Sequence, residues 1–185
     1  MTVFEKFEVV KSEPYKFIGR SVYIGNKAPG EHPENNKLLF AIHHALWEQL
    51  GWVFGELDKI AEYNSDEPHN AVLFTWDKYD DKNELYGYYI GRFMKADAPV
   101  PKGLDYFDIT EEYIVKAWRK GKRGDIFGNC LIYAEEECKD EIGKTGLYKQ
   151  GNNYLMAEIY PDPNEKGESY IGTFCPCVLI NPTQR

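Results

Sequence analysis

The sequence predicts an α+β fold: two strand-helix-strand-strand halves, each laying a helix on one face of an antiparallel sheet. The other faces of those sheets are free to meet or to line a shared ligand cleft. Three observations carry this prediction. Short β-branched and aromatic runs alternate with helical patterns in the same order twice. A stretch from Lys95 to Gly103, with Pro99 and Pro101, separates the two rounds. The chain has 185 residues, 43% hydrophobic and 28% charged, which is enough for one domain with a proper core. Residues 1–185 are therefore read as a single domain, with halves about 15–94 and 105–181 and a joint at 95–104.

Each element follows from local pattern. Phe17 to Ile24 is a β-branched and aromatic strand closed by Gly25. Leu38, Leu39, Ile42, Leu46 and Leu50 recur at three- and four-residue steps, an amphipathic helix whose apolar face Trp47 extends. Gly51 bends or ends it, and Phe54, Leu57 and Ile60 predict a second helical piece reaching about Glu62. Ala71 to Trp76 and Glu84 to Met94 are strands joined by a hairpin-like connection. After the joint, Phe107 to Trp118 reads as one strand, broken by Gly121 and Gly124. Asp125 is the N-cap of a helix from Ile126 to Ile142, ended by Gly143. Asn153 to Tyr160 and Tyr170 to Ile180 are the closing strands, the latter exposed enough to pair with a second copy.

Composition narrows the function classes. Thirty acidic and 22 basic residues give a net charge of −8, which argues against nucleic acid as a partner. The basic run Lys116, Arg119, Lys120, Lys122, Arg123 reads as a solvated turn, and Glu135 to Glu141 as a solvated helix face. No apolar run approaches a membrane span, and Met1 to Glu13 is too charged for a signal peptide. Four cysteines then fit a reducing cytoplasm. Cys175 and Cys177 share a strand face but lack completing ligands, and His43-His44 diverge on a helix, so no metal or other cofactor is expected. No nucleophilic triad or phosphate loop of recognised spacing is present.

The unusual feature is aromatic: 14 Tyr, 10 Phe and 4 Trp. A core alone favours Phe, because each buried tyrosine hydroxyl needs a partner. Alternation in the last-but-one strand puts Leu155, Ala157 and Ile159 on one face and Tyr154, Met156, Glu158 and Tyr160 on the other. In Glu84 to Met94, Tyr86 and Tyr88 share a face, while Gly87 and Gly91 on the other leave room for a helix or a ligand. Trp76 and Trp118 are further candidates for the same aromatic hollow; its carboxylate either lies inside it or stands exposed on an edge strand with tyrosines filling the pleat. Burial would raise the pKa of such a carboxyl and make it a proton acceptor.

Several short runs, taken together and in order, resemble the GyrI-like small-molecule-binding domains. They are Tyr86 to Gly91, Pro99 to Leu104, Tyr113, Trp118, Gly121, Leu131 to Tyr133, and Ala157-Glu158-Ile159-Tyr160-Pro161-Asp162-Pro163. The last is similar to the family's Phe-Glu-x-Tyr motif, with Ala157 in place of Phe. The segment Gly51 to His69 is longer than the family's. The resemblance implies two strand-helix-strand-strand halves around a cleft, with the ligand glutamate at Glu158 and aromatic companions at Tyr88 and Tyr160. Family members act as effector-binding domains of multidrug-responsive regulators, as stand-alone binders, and in one bacterial case as a gyrase modulator. A stand-alone subfamily hydrolyses cyclopropanoid DNA-alkylating natural products through an aromatic cage. The expectation is thus a stand-alone binder of flat lipophilic xenobiotics. Glu158 and Tyr160 are its candidate catalytic residues, and Glu158, Tyr86, Tyr88, Trp118, Tyr154 and Trp76 its ligand contacts. The alternatives are a non-catalytic drug sensor, or a regulator acting through a protein partner such as gyrase.

Overall fold

The computed structural model describes residues 5–25, 33–80, 85–122, 130–151, 156–163 and 168–180. Tyr154 and the side chains of Trp76 and Tyr86 lie outside the described set. The elements are β1 (Lys6–Lys11), β2 (Tyr15–Gly25), α1 (Pro33–Leu50), α2 (Trp52–Asp58) and a 3-10 turn (Ala61–Tyr63). They continue with β3 (Asn70–Asp80), β4 (Leu85–Lys95), β5 (Asp105–Ile109), β6 (Tyr113–Gly121) and α3 (Cys130–Thr145). Last come β7 (Tyr148–Gln150), β8 (Met156–Tyr160) and β9 (Ser169–Leu179). Antiparallel pairing with helices on the sheet makes the fold α+β, as the alternating patterns predicted. None of the described helices is long and apolar enough to cross a membrane.

Contacts divide the chain into two compact units, Tyr15–Asp108 and Met1–Pro14 with Ile109–Arg185. In the first, strands run in the order β3-β4-β2-β5. Its core joins Ile18 and Met94 from the strands to Val53 and Leu57 of α2. Ala98 and Leu104, from the Pro-rich stretch, pack into the same core, so that stretch belongs to this unit and the contact boundary falls after Asp108. Asp105 pins β5 to β2, accepting hydrogen bonds from the Ser21 backbone N–H (3.0 Å) and Oγ (2.8 Å). Among the described side chains of the helical stripe, Ile42 departs from expectation: it is 37% exposed, and His43 is buried in its place.

Gly91 corrects a second expectation. It faces neither helix nor ligand, because β2 fills its room. Gly19 pairs with Gly91, and a Cβ on Gly91 would stand 2.0 Å from the Ile18 carbonyl oxygen. The reciprocal Cβ on Gly19 would stand 2.1 Å from the Ile90 carbonyl oxygen. Two backbones this close tolerate only glycine on both sides.

The second unit orders its strands β1-β6-β9-β8, with β7 also on β9. Residues 105–121 form two strands rather than one, since β5 ends at Ile109 and β6 starts at Tyr113. Each serves a different unit. The closing strand is not an edge: β9 has β6 on one side and β7 and β8 on the other. α3 runs through Gly143 to Thr145, where the Thr145 hydroxyl donates to the Ile142 carbonyl and accepts from the Leu147 N–H. Gly146, at φ 63°, makes the turn that Gly143 was expected to make.

Candidate functional site around Glu158

Register builds this site. Glu158 of β8 pairs with Thr173 of β9, which pairs with Ala117 of β6. Directly opposed residues share a face, and so do residues two apart on one strand. Arg119, Thr173, Glu158 and Tyr160 therefore point to one face of the sheet. The next row is Ile159, Gly172 and Trp118, on the opposite face. Trp118 is thus separated from Glu158. Its ring lies against Gly172, where a Cβ would be 2.8 Å away, and meets Phe174 edge-on at 5.7 Å.

Glu158 is 1% exposed. The Tyr160 hydroxyl donates to its Oε2 at 2.5 Å. Its Oε1 has no hydrogen-bond partner among the described residues. Burial pushes this carboxyl up to about 7, against the Tyr160 hydrogen bond and the charge of Arg119, which both act downward. Near neutral pH the group therefore holds or releases a proton with little driving force either way.

Arg119, also buried, donates through Nη2 to Glu137 of α3 at 2.6 Å and through Nη1 to the Thr173 hydroxyl at 3.4 Å. Two expectations change here. The basic run is not a solvated turn, because Arg119 and Lys116 are buried strand residues, with Lys116 Nζ 5.1 Å over the Phe174 ring. The acidic helix is not wholly solvated either, since Glu137 is engaged with Arg119. Neither partnership was legible in the sequence. Arg119 and Glu158 share a sheet face with a strand between them, and only the register of β9 reveals it.

Tyr88 belongs to the other unit. It is 3% exposed and pairs across the sheet with Phe74, the rings meeting edge-on at 5.3 Å. The His43 imidazole stacks on Tyr88 at 4.4 Å and 17°. Burial lowers the His43 pKa to about 4, so the ring is neutral at pH 7 and behaves as an aromatic. Sequence reasoning considered His43 only as a metal ligand. The signal it missed was His43 itself at helical spacing from Leu46, Trp47 and Leu50. Cys175 and Cys177 are buried and form no disulfide, and burial raises Cys177 to about 11.

No protein-family model matches the chain, and no curated protein matches its sequence. Solved structures do match. The structure of SAV2435 bound to tetraphenylphosphonium superposes with a TM-score of 0.57 at 11% identity, covering 94% of this chain and 94% of that one. The fold is GyrI-like. The Vibrio cholerae integron cassette protein VCH_CASS2 also matches, with a TM-score of 0.55 at 11% identity over 95% of this chain and 97% of that one. EcmrR in its DNA complex matches at a TM-score of 0.53 and 14% identity, over 95% of this chain and 58% of that one. A DNA-bound relative in fold gives no support to the expectation, drawn from net charge, that nucleic acid is not a partner.

Proposed function

We propose that this protein binds flat, lipophilic small molecules bearing a cation or an N–H donor, with Glu158 as the group that holds the charge. One observation carries the reading: a carboxyl 1% exposed whose Oε1 is unpartnered among the described residues. Such a group stays costly until a ligand supplies the missing partner, and low dielectric strengthens that partnership. The shared fold with SAV2435, seen with tetraphenylphosphonium, supports a lipophilic cation as the first probe; this cation is tetrahedral and has no N–H, so it tests the charge alone. Isothermal titration calorimetry with tetraphenylphosphonium between pH 5.5 and 8.5 tests it. Affinity should rise with pH through about 7 as the carboxyl ionises, and Glu158→Gln should abolish that rise. Pronounced binding that is indifferent to both pH and the substitution would remove Glu158 from the site.

A second reading, that the same site opens cyclopropanoid rings, is favoured by the proton affinity of Glu158 near neutrality. In that reaction a water oxygen bonds to the strained ring CH2 and gives a proton to Glu158. The strained C–C bond breaks, its electron pair passes through the conjugated dienone to the carbonyl oxygen, and the resulting phenolate takes the proton. Incubation with a cyclopropanoid alkylator and mass spectrometry would detect a product one water heavier. Equal product from Glu158→Gln would refute the role of the carboxyl.

A further inference from the structure

Arg119 shares the sheet face of the proposed ligand carboxylate and its charge acts on it, so what holds Arg119 decides how that carboxylate behaves. By register, the described charged and titratable side chains on the Glu158 face of its unit include Lys11 of β1, Tyr113 and Arg119 of β6, Cys175 and Cys177 of β9, Tyr148 of β7 and Tyr160 of β8, and α3 adds Glu137 and the buried Cys138. Arg119 is 2% exposed and cannot swing into water. Its Nη2 is 2.6 Å from Glu137 Oε2, whereas Glu158 has no ion pair among the described residues. With Nη2 committed to Glu137 and Nη1 to the Thr173 hydroxyl, the guanidinium cannot at the same time turn its fork of donors to Glu158. We infer that Glu137 is a positioning residue: by holding Arg119 through α3, it keeps Glu158 from being neutralised internally and leaves that carboxylate to a cationic ligand.

The inference rests on the reading of Glu158 as the ligand carboxylate and explains how that group coexists with a buried arginine. With Arg119 and Glu137 balancing each other, ionised Glu158 leaves the cluster one negative charge, which a bound cation cancels. Without Glu137, Arg119 supplies that cancelling charge itself, and a ligand must first displace it.

The test reads the Glu158 carboxyl directly, by 13C NMR of protein labelled at the glutamate carboxyl, without ligand. Glu137→Gln should lower the Glu158 midpoint by at least about one pH unit, the usual effect of a newly available opposite charge. Tetraphenylphosphonium affinity at pH 8 should then fall by about tenfold per unit of midpoint lost, because the ligand must break that pair. Glu137→Asp should keep both properties near wild type. Arg119→Met combined with Glu137→Gln should restore the midpoint, and this charge-free pair also serves if Glu137→Gln alone fails to fold. An unchanged midpoint in Glu137→Gln overturns the inference, as does a lowered midpoint with unchanged phosphonium affinity. If wild type does not bind tetraphenylphosphonium at all, the functional reading fails, while the ligand-free midpoint still decides whether Glu137 restrains Arg119.

Discussion

Replacing Glu158 with glutamine should make the protein more stable at pH 8 and leave that advantage absent in acid. The carboxyl titrates at about 7 when folded, against 4.5 for an unburied glutamate. Between those values the folded state binds more protons than the unfolded one, so stability falls as pH rises, and the loss is complete above pH 7. At about 1.4 kcal/mol per pH unit, the charge costs the fold about 3 kcal/mol at pH 8. His43 acts in the opposite sense. Its pKa is about 4 when folded and 6.5 unfolded, so its contribution of about 3 kcal/mol is present above pH 6.5 and lost as pH falls through 4. From pH 4.5 to 6.5 the two slopes nearly cancel. Urea unfolding from pH 4.5 to 8.5 should therefore give a nearly flat wild-type profile over that interval. Glu158→Gln should rise with pH, and His43→Phe should fall. The constant cost of the new amide drops out of the slope, so the decisive quantity is the change in the mutant–wild-type difference, about 3 kcal/mol between pH 4.5 and 8. Parallel curves for Glu158→Gln and wild type would refute the claim that Glu158 is buried and titrates near neutrality.

Three further outcomes follow from the packing. Gly91→Ala should destabilise its unit by about 2–4 kcal/mol in chemical denaturation, because its Cβ would meet the Ile18 carbonyl at 2.0 Å and neither strand can withdraw. Gly172→Ala should cost about 1–2 kcal/mol through its contact with the Trp118 ring, and noticeably less when Trp118 is already alanine. Trp118→Ala should leave tetraphenylphosphonium affinity within about twofold of wild type, since the register separates that ring from Glu158.

The fold class was legible because helical and strand periodicities are local. The steps from Leu46 to Leu50 and the alternation from Met156 to Tyr160 need no partner to be read. The shared face of Glu158 and Tyr160 was legible from their i, i+2 spacing on β8, whereas the burial of Glu158 came only with the family resemblance and the Tyr160 hydrogen bond only with the structure. What failed was everything set by register. Arg119 looked like a solvated base in a run of bases, and only the register through β6-β9-β8 places it on the face of Glu158. Trp118 looked like a wall of the same hollow, and one residue of phase puts it on the other face. β1 went unseen because Lys6, Glu8 and Lys11 interrupt its apolar pattern, and its pairing with β6 supplies what local propensity lacks. The helix terminus moved from Gly143 to Gly146 because the Thr145 side chain caps the last turn.

The central claim is that Glu158 meets the charge of a ligand. Its most direct test is the carboxyl midpoint of Glu158, followed by 13C NMR with and without saturating tetraphenylphosphonium. A cation against Oε1 favours the ionised form, so the midpoint should fall from about 7 by at least about one unit in the complex. A midpoint that stays near 7 in a fully formed complex would contradict the account.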